Sequence, residues 1–241
     1  MSASVTTPLL RAARDAPLVR LGRVLRRYGV RATLQHALSL VAFYAARIRW
    51  WQTFVLTPQS ADWAILEGRC PVKGRTLEAV DLRPYAQGPD ALFTPRFLEA
   101  AISRGDRCFA FFDGDAVISY GWYATLPTRL PDLDPTLALY FDPAYVHMYN
   151  TFTRPQYRGQ RLHAIGALTM LRSYVGRGWK GLICYVDGSN ITSLRACGRV
   201  GFKQFGRIML MRLGGRYLCS SSAGCAAYQL RVESAPPRPA P

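Results

Sequence analysis

Lysine is almost missing from this chain: Lys73, Lys180 and Lys203 are the only three among 31 basic residues, so its positive charge is arginine. Acidic residues are also few, 15 in 241, which leaves a formal charge of +16 with only three histidines. The six cysteines (Cys70, Cys108, Cys184, Cys197, Cys219 and Cys225) contain no CxxC pair and no zinc-ligand cadence with the histidines, which argues against a structural zinc site. No apolar run approaches the roughly 20 residues that a membrane-spanning helix needs. Glycine and proline show no collagen-like period, and no heptad pattern supports a coiled coil. What is present is a hydrophobic fraction of 49% with 12% aromatics, enough to build a core. Such a chain is a globular protein that favours anionic partners. No secretory signal is recognised, so the thiols are expected to be reduced and mostly buried in a cytoplasmic protein, with a Cys219–Cys225 bridge left open.

The charge is uneven. Residues 1–57 hold nine arginines and one acid, Asp15, half of the net charge in under a quarter of the chain. A helix over Leu18 to Ala32 would place Leu18, Leu21, Leu25 and Tyr28 on one stripe and Arg20, Arg23, Arg27 and Arg31 opposite. The apolar run Leu38 to Ala46 follows, and then Trp50 and Trp51. This pattern predicts a basic amphipathic extension with two open readings. In one, residues 18–54 contact an anionic membrane, peripheral on its inner face, with the two tryptophans at headgroup depth. In the other, a helical hairpin packs on the main domain and solvates its arginines. An arginine-rich, acid-poor start also has the look of a mitochondrial presequence.

Residues 58–74 are turn-rich and read as a linker. Beyond them the pattern predicts a strand at Thr76 to Leu82, a helix at Pro95 to Arg104, and a hairpin of Cys108 to Phe112 with Ala116 to Tyr123 around Asp113-Gly114-Asp115. A proline-punctuated loop leads to a long strand, Tyr145 to Thr153. Then come a helix (Leu162 to Val175), a short strand (Leu182 to Val186), a helix (Thr192 to Val200) and a last strand region (Gln204 to Leu213). Residues 220–241 read as a flexible tail, which leaves 75–219 as the main domain.

The stretch Thr151-Phe152-Thr153-Arg154-Pro155-Gln156-Tyr157-Arg158-Gly159-Gln160-Arg161-Leu162-His163 delivers a strand through a glycine-bearing turn onto a helix start. Free amides there, the helix dipole and close approach at Gly159 suit a phosphate, and Arg158 and Arg161 add charge. This segment resembles the acyl-CoA signature Q/R-x-x-G-x-G/A of the GNAT superfamily of N-acetyltransferases, matching Gln156 to Arg161 except at the last position. Val186 to Asn190, followed by Ser193, Leu194 and Gly201-Phe202, is similar to a second segment of that family. The resemblance covers about residues 144–212, with strand order extending back to about residue 75.

The resemblance implies an α/β (α+β) fold: a mixed, mostly antiparallel twisted sheet flanked by helices and splayed open between two strands. Acyl-CoA, most simply acetyl-CoA, would lie in the gap and donate its acyl group to a primary amine attacking directly. Pantetheine would pair with Asn150, Thr151, Phe152 and Thr153, the pyrophosphate would sit on Arg158, Gly159, Gln160, Arg161, Leu162 and His163, and Asn190 would lie near the pantetheine or simply cap the next helix.

Three positions depart from the family. Arg161 and His163 stand where small residues are usual. Cys197 stands where a tyrosine often protonates the leaving thiolate; it is either an acid in its place or a small buried residue. Tyr145 to Thr153 carries no carboxylate, so His147, which shares a face with Tyr145 and Tyr149, is the candidate base. No metal is expected. The basic surface disfavours polybasic acceptors and leaves small amines. An acidic acyl carrier protein is an alternative donor, and a degenerate, membrane-docked binding protein the alternative function. Nucleic-acid binding rests on charge alone and ranks low.

Overall fold

The computed structural model describes residues 25–26, 28–38, 48–68, 70, 72–87, 91–131, 133–213 and 216–235. Residues 28–38 form helix α1. The rest is a run of strands, β1 (Ile48–Leu56), β2 (Lys73–Glu78), β3 (Arg107–Asp113), β4 (Ala116–Ala124), β5 (Thr128–Leu130), β6 (Asp134–Tyr140), β7 (Tyr145–Thr153), β8 (Gly181–Asp187), β9 (Lys203–Leu213), β10 (Arg216–Ser221) and β11 (Arg231–Ser234), interspersed with helices α2 (Pro95–Arg104), α3 (Leu162–Val175), α4 (Ile191–Val200) and α5 (Ala223–Ala226).

The large sheet has the order β10-β9-β1-β8-β7-β4-β3-β2, and a small sheet has the order β11-β6-β5. All pairings in the large sheet are antiparallel except β7 with β8. This is the expected mixed, mostly antiparallel α/β sheet with helices on it. Strand residues alternate between faces, so each central strand feeds two cores. Val146 and Met148 of β7, Leu182, Cys184 and Val186 of β8, and Phe54 and Leu56 of β1 meet α3 on one face. Helix α3 is apolar nearly all round, with Leu162, Leu168, Met170 and Leu171 almost completely buried, as a helix lodged in a core must be. On the other face Ile183, Trp51 and Val55 pack under the small sheet against Leu139 and Val232. Further along that face α2 covers β3 and β4 through Leu98 and Ala101. Its ends follow local chemistry: Phe97 N donates to Thr94 Oγ1 (3.2 Å), Pro95 opens the first turn, and Gly105 closes it in the left-handed region.

The structure corrects several expectations. The extension assigned to residues 1–57 ends in β1, which lies in the sheet between β8 and β9 with register Trp51↔Asp187 and Trp51↔Ile208. Trp51 is therefore a core residue, 4% exposed and stacked on Tyr185 at 3.9 Å, and is not at headgroup depth. The strand is buried on both faces, with Trp51 and Val55 toward the small sheet and Phe54 and Leu56 toward α3, so its end reads as a continuous apolar run without alternation. The linker at 58–74 contains a 3-10 turn, Trp63–Leu66, whose Ile65 is buried in the main core. The strand expected at Thr76 to Leu82 is the earlier β2, followed by a second 3-10 turn. The expected proline loop carries β5 and β6. The tail contains α5 and β11: Cys225 is 1% exposed, and Val232 pairs with Leu139. All six cysteines are free, so Cys219 and Cys225 are not bridged. The predicted helix over Leu18 to Ala32 is described only at 25–26 and 28–32, which are helical, and the apolar run Leu38 to Ala46 beyond Leu38 and the end of the tail lie outside the described residues.

Trp51→Ala should cost about 3–5 kcal/mol in denaturant unfolding, because it empties a site in a central strand. Leu126→Ala, at a residue 50% exposed, should stay within about 0.5 kcal/mol.

Candidate active site

Strands β7 and β8 pair in parallel for three residues only, Tyr145↔Gly181, Val146↔Leu182 and His147↔Ile183. Beyond that point β7 continues alongside β4 to Ser119↔Thr153, while β8 continues alongside β1 to Trp51↔Asp187. The two strands diverge, and each leaves an inner edge unpaired with the other. The cause lies in β7. Asn150 has φ 44, in the left-handed region that asparagine tolerates better than most residues, and the register against β4 shifts between Tyr120 and Trp122. This bulge bends Asn150, Thr151, Phe152 and Thr153 with β4 and away from β8. Ser119 Oγ fastens the far end to Phe152 O (3.0 Å) and Thr153 Oγ1 (2.8 Å).

At the open end stands the start of α3. Its first helical bond runs from Ile165 N to Arg161 O (3.0 Å), so the amides of Leu162, His163 and Ala164 lie before the ladder begins. Gly159 has φ +91, and nothing lies within 4 Å of where a Cβ would be, so the backbone is open to an approaching anion. The turn is held from behind: Arg154 Nε donates to Val117 O (2.8 Å), Arg158 Nε to Thr153 O (3.2 Å), and the Tyr157 hydroxyl to Asp113. Arg161 is exposed and sits at φ 59. The backbone conformation explains why a small residue is usual there, and the guanidinium adds charge at the helix start. These groups, together with Gln160, fit a pyrophosphate.

Asn190 caps α4: its Oδ1 accepts from Ser193 N at 3.2 Å. Cys197, on the buried side of the same helix, is 2% exposed and lies beside Cys184 and His163. These two neighbours draw its thiol down against the opposing effect of burial, while Cys184 is pushed up. His163, expected only at the phosphate end, thus links the start of α3 to Cys197.

His147 is 1% exposed, with Nδ1 at 2.6 Å from Thr128 Oγ1 and no partner for Nε2 among the described residues. Its ring lies between Tyr149 (5.5 Å, 18°) and Tyr185 (5.8 Å, 21°) in a stack that ends on Trp51. Burial first, and the Arg104 charge second, bring its pKa down to about 3. Such a ring stays neutral near pH 7 and suits a packing role better than that of a base.

Beside it is a carboxylate that the sequence reading missed. Asp106, 1% exposed, accepts from the Tyr149 hydroxyl and from Arg104 Nη2 (2.5 Å) and Nε (3.1 Å); Arg104 Nη2 also donates to the Tyr149 oxygen (3.1 Å). Burial pushes the Asp106 carboxyl up, and Arg104 offsets part of this. Tyr149 is pushed well up by burial and by Asp106. Tyr149 itself is half-buried, two residues beyond the last β7–β8 pair. Only the contrast of an acid two residues before the apolar run Cys108 to Phe112 marks Asp106 in sequence.

No family model matches this sequence, and no curated protein does. Among solved structures, a GCN5-related N-acetyltransferase-like protein from Streptococcus suis matches at 11% identity and TM-score 0.45, covering 72% of this chain and 65% of that one. An acetyltransferase from the GNAT family of Colwellia psychrerythraea matches at 12% and 0.45, over 68% and 55%. A GCN5-related N-acetyltransferase from Sphaerobacter thermophilus matches at 16% and 0.43, over 77% and 55%. The chain thus spans a little over half to about two thirds of the length of these proteins.

Two predictions follow from the geometry. Between the ordinary histidine value of 6.5 and about 3, the unfolded chain binds a proton on residue 147 that the native state refuses. The stability this preserves is complete above pH 6.5 and is lost as pH falls toward 3. Melting curves should therefore show a decline on acidification that is shallower in His147→Gln, whose amide retains a partner for Thr128. Arg161→Gly relieves a left-handed non-glycine residue and should raise stability by about 1 kcal/mol in urea titrations.

Proposed function

We propose that the protein is an acyl-CoA-dependent N-acyltransferase of the GNAT type, acting on a primary amine of a small molecule. The observation that carries this reading is the divergence of β7 from β8 after His147, directly beside the start of α3. An extended chain can lie along the freed edge of Asn150 to Thr153 while a pyrophosphate meets the amides and arginines at 158–163. Acetyl-CoA is the simplest donor, and the bound thioester supplies the activated acyl carbon. A carrier-protein donor would use the same edge through its phosphopantetheine arm.

Tyr149 and Asp106 supply the base. As the amine nitrogen bonds to the thioester carbon, its proton passes to the Tyr149 oxygen and the Tyr149 proton passes to the Asp106 carboxylate. The C–S bond breaks and the sulfur leaves as a thiolate, which takes its proton from solvent; Cys197, its thiol drawn down beside Cys184 and His163, is not the proton donor. Arg104 is a positioning residue: it fixes both Asp106 and the Tyr149 oxygen in one fork. A neutral histidine stacked on Tyr149 keeps that ring flat against the sheet.

Purified protein should show a raised melting temperature with acetyl-CoA and heat on titration with it; absence of both overturns the reading. Gly159→Val should weaken that binding, since a side chain would occupy the space left for the anion. Tyr149→Phe should lower kcat by about 100-fold at unchanged affinity for acetyl-CoA. Asp106→Asn should flatten the acidic limb of the kcat/KM profile. Equal kcat in Tyr149→Phe and wild type would remove the relay and leave the fold assignment standing.

A further inference from the structure

Residues 16–61 and 188–221 contain no aspartate or glutamate, yet hold seven and six cationic residues. Among the described residues the fold brings parts of these two stretches together, because β1 pairs with β9, β9 pairs with β10, and α1 rests on the turn before α4; Arg20, Arg23, Arg27 and Arg47 lie outside the described residues. At that turn His36 Nδ1 lies 2.9 Å from Ser189 O, Gln35 Nε2 donates to Gly188 O (3.3 Å), and the Tyr28 hydroxyl lies 3.0 Å from Thr192 Oγ1.

With Ala32 and His36 buried there, α1 turns Val30, Leu34 and Leu38 outward at 67%, 59% and 64% exposure. Their spacing of four residues makes one apolar stripe, and Arg26 and Arg31, both exposed, flank it. The neighbouring sheet end is also apolar. Cross-strand partners share a face, so Trp50, Met209 and Ser220 point one way, together with Met211, Leu218, Leu213 and Arg216. Met209, Leu213 and Leu218 are 45%, 53% and 53% exposed. The opposite face of the same strands is packed, through Trp51, Ile208 and Leu210. Gln35 of α1 and Trp50 of β1 line one recess with Arg207, so the stripe and the sheet end adjoin.

We infer that this surface, the outer stripe of α1 with the exposed face of β1, β9 and β10, docks on an anionic phospholipid bilayer. Its two properties point to one occupant. Arginines without acids match lipid phosphates, and exposed leucines and methionines gain by entering the acyl boundary, whereas nucleic acid or a soluble acidic carrier would leave them in water. No helix of the described residues is long and apolar enough to cross a membrane, so the contact is peripheral. Trp50 takes part from β1, with its indole against Gly188, while Trp51 belongs to the core.

Full-length protein is mixed with vesicles of phosphatidylcholine alone, or of phosphatidylcholine with phosphatidylglycerol, and sedimented. Binding is expected only to the anionic vesicles, with a bound-to-free ratio that falls as salt rises. Leu34→Ser with Leu218→Ser should lower that ratio about tenfold, as expected for lost burial of leucine side chains, at unchanged melting temperature and acetyl-CoA binding. Failure to bind either vesicle overturns the inference and leaves this face to a second copy or to the chain's own N-terminal residues. Unchanged binding by the double variant also overturns it, by reducing the contact to charge.

Discussion

Three residue pairs join β7 to β8, and the whole candidate site depends on the pairing ending there. A parallel pair that continued to Thr153 would close the gap, consume the backbone groups along Asn150 to Thr153, and press the start of α3 against a sealed sheet. The bulge at Asn150 prevents this at modest cost, because asparagine occupies the left-handed region more readily than most residues. Each strand then keeps its other neighbour, so the opening lies between two fully paired ribbons and is rigid rather than frayed. A site that must hold a long flexible donor benefits from such walls.

Strand β1 makes one of those walls possible. It binds β8 on one edge and β9 on the other, and it holds β8 straight out to Asp187 while β7 bends away. It also ends the stack of Tyr149, His147, Tyr185 and Trp51 that crosses three strands beside the divergence. The aromatic stack and the buried Arg104–Asp106–Tyr149 group meet at Tyr149, so one side chain reports on both packing and charge. A buried carboxylate is tolerable only because Arg104 and the Tyr149 hydroxyl satisfy it. The same group is costly to rearrange, which is what a fixed proton acceptor requires.

Most strands and helices from Pro95 to Leu213 were legible because their signals are local: alternation, a capped amphipathic helix, Asp-Gly in a hairpin, and glycine before a helix start. Strands β5 and β6 were hidden by the prolines around them, and two further parts were not legible. Strand β1 opens among arginines, Arg47 and Arg49, and its meaning comes from inserting between two strands more than 100 residues later in the chain, which no local pattern encodes. The segments after Ser221 are rich in small residues and find order only against β9 and β6. In the candidate site, the glycine-bearing turn onto α3 could be read from Gly159, Arg158 and Arg161, since the motif and the start of the helix coincide there. Asp106 could not, because it reaches Tyr149 from 43 residues earlier in the chain. His147 was plausible as a base by type and by face; burial between two rings is what removes that role, and burial is a tertiary property.

The distribution of charge follows the same division. Arg104, Arg154 and Arg158 are tied to carbonyls or a carboxylate inside the fold, so their charge sets the site's geometry before any ligand arrives. The arginines of the acid-free stretches have no carboxylate within their own segments to neutralise them. Cationic residues gathered on one part of a surface favour an anionic partner there, whereas the same charge spread evenly would only raise solubility. The turn from Gly188 to Asn190 connects the two regions physically. Helix α1 rests on one side of it, and the cap of α4, with Cys197 further along, stands on the other. A contact that orders α1 therefore bears directly on the wall of the candidate site.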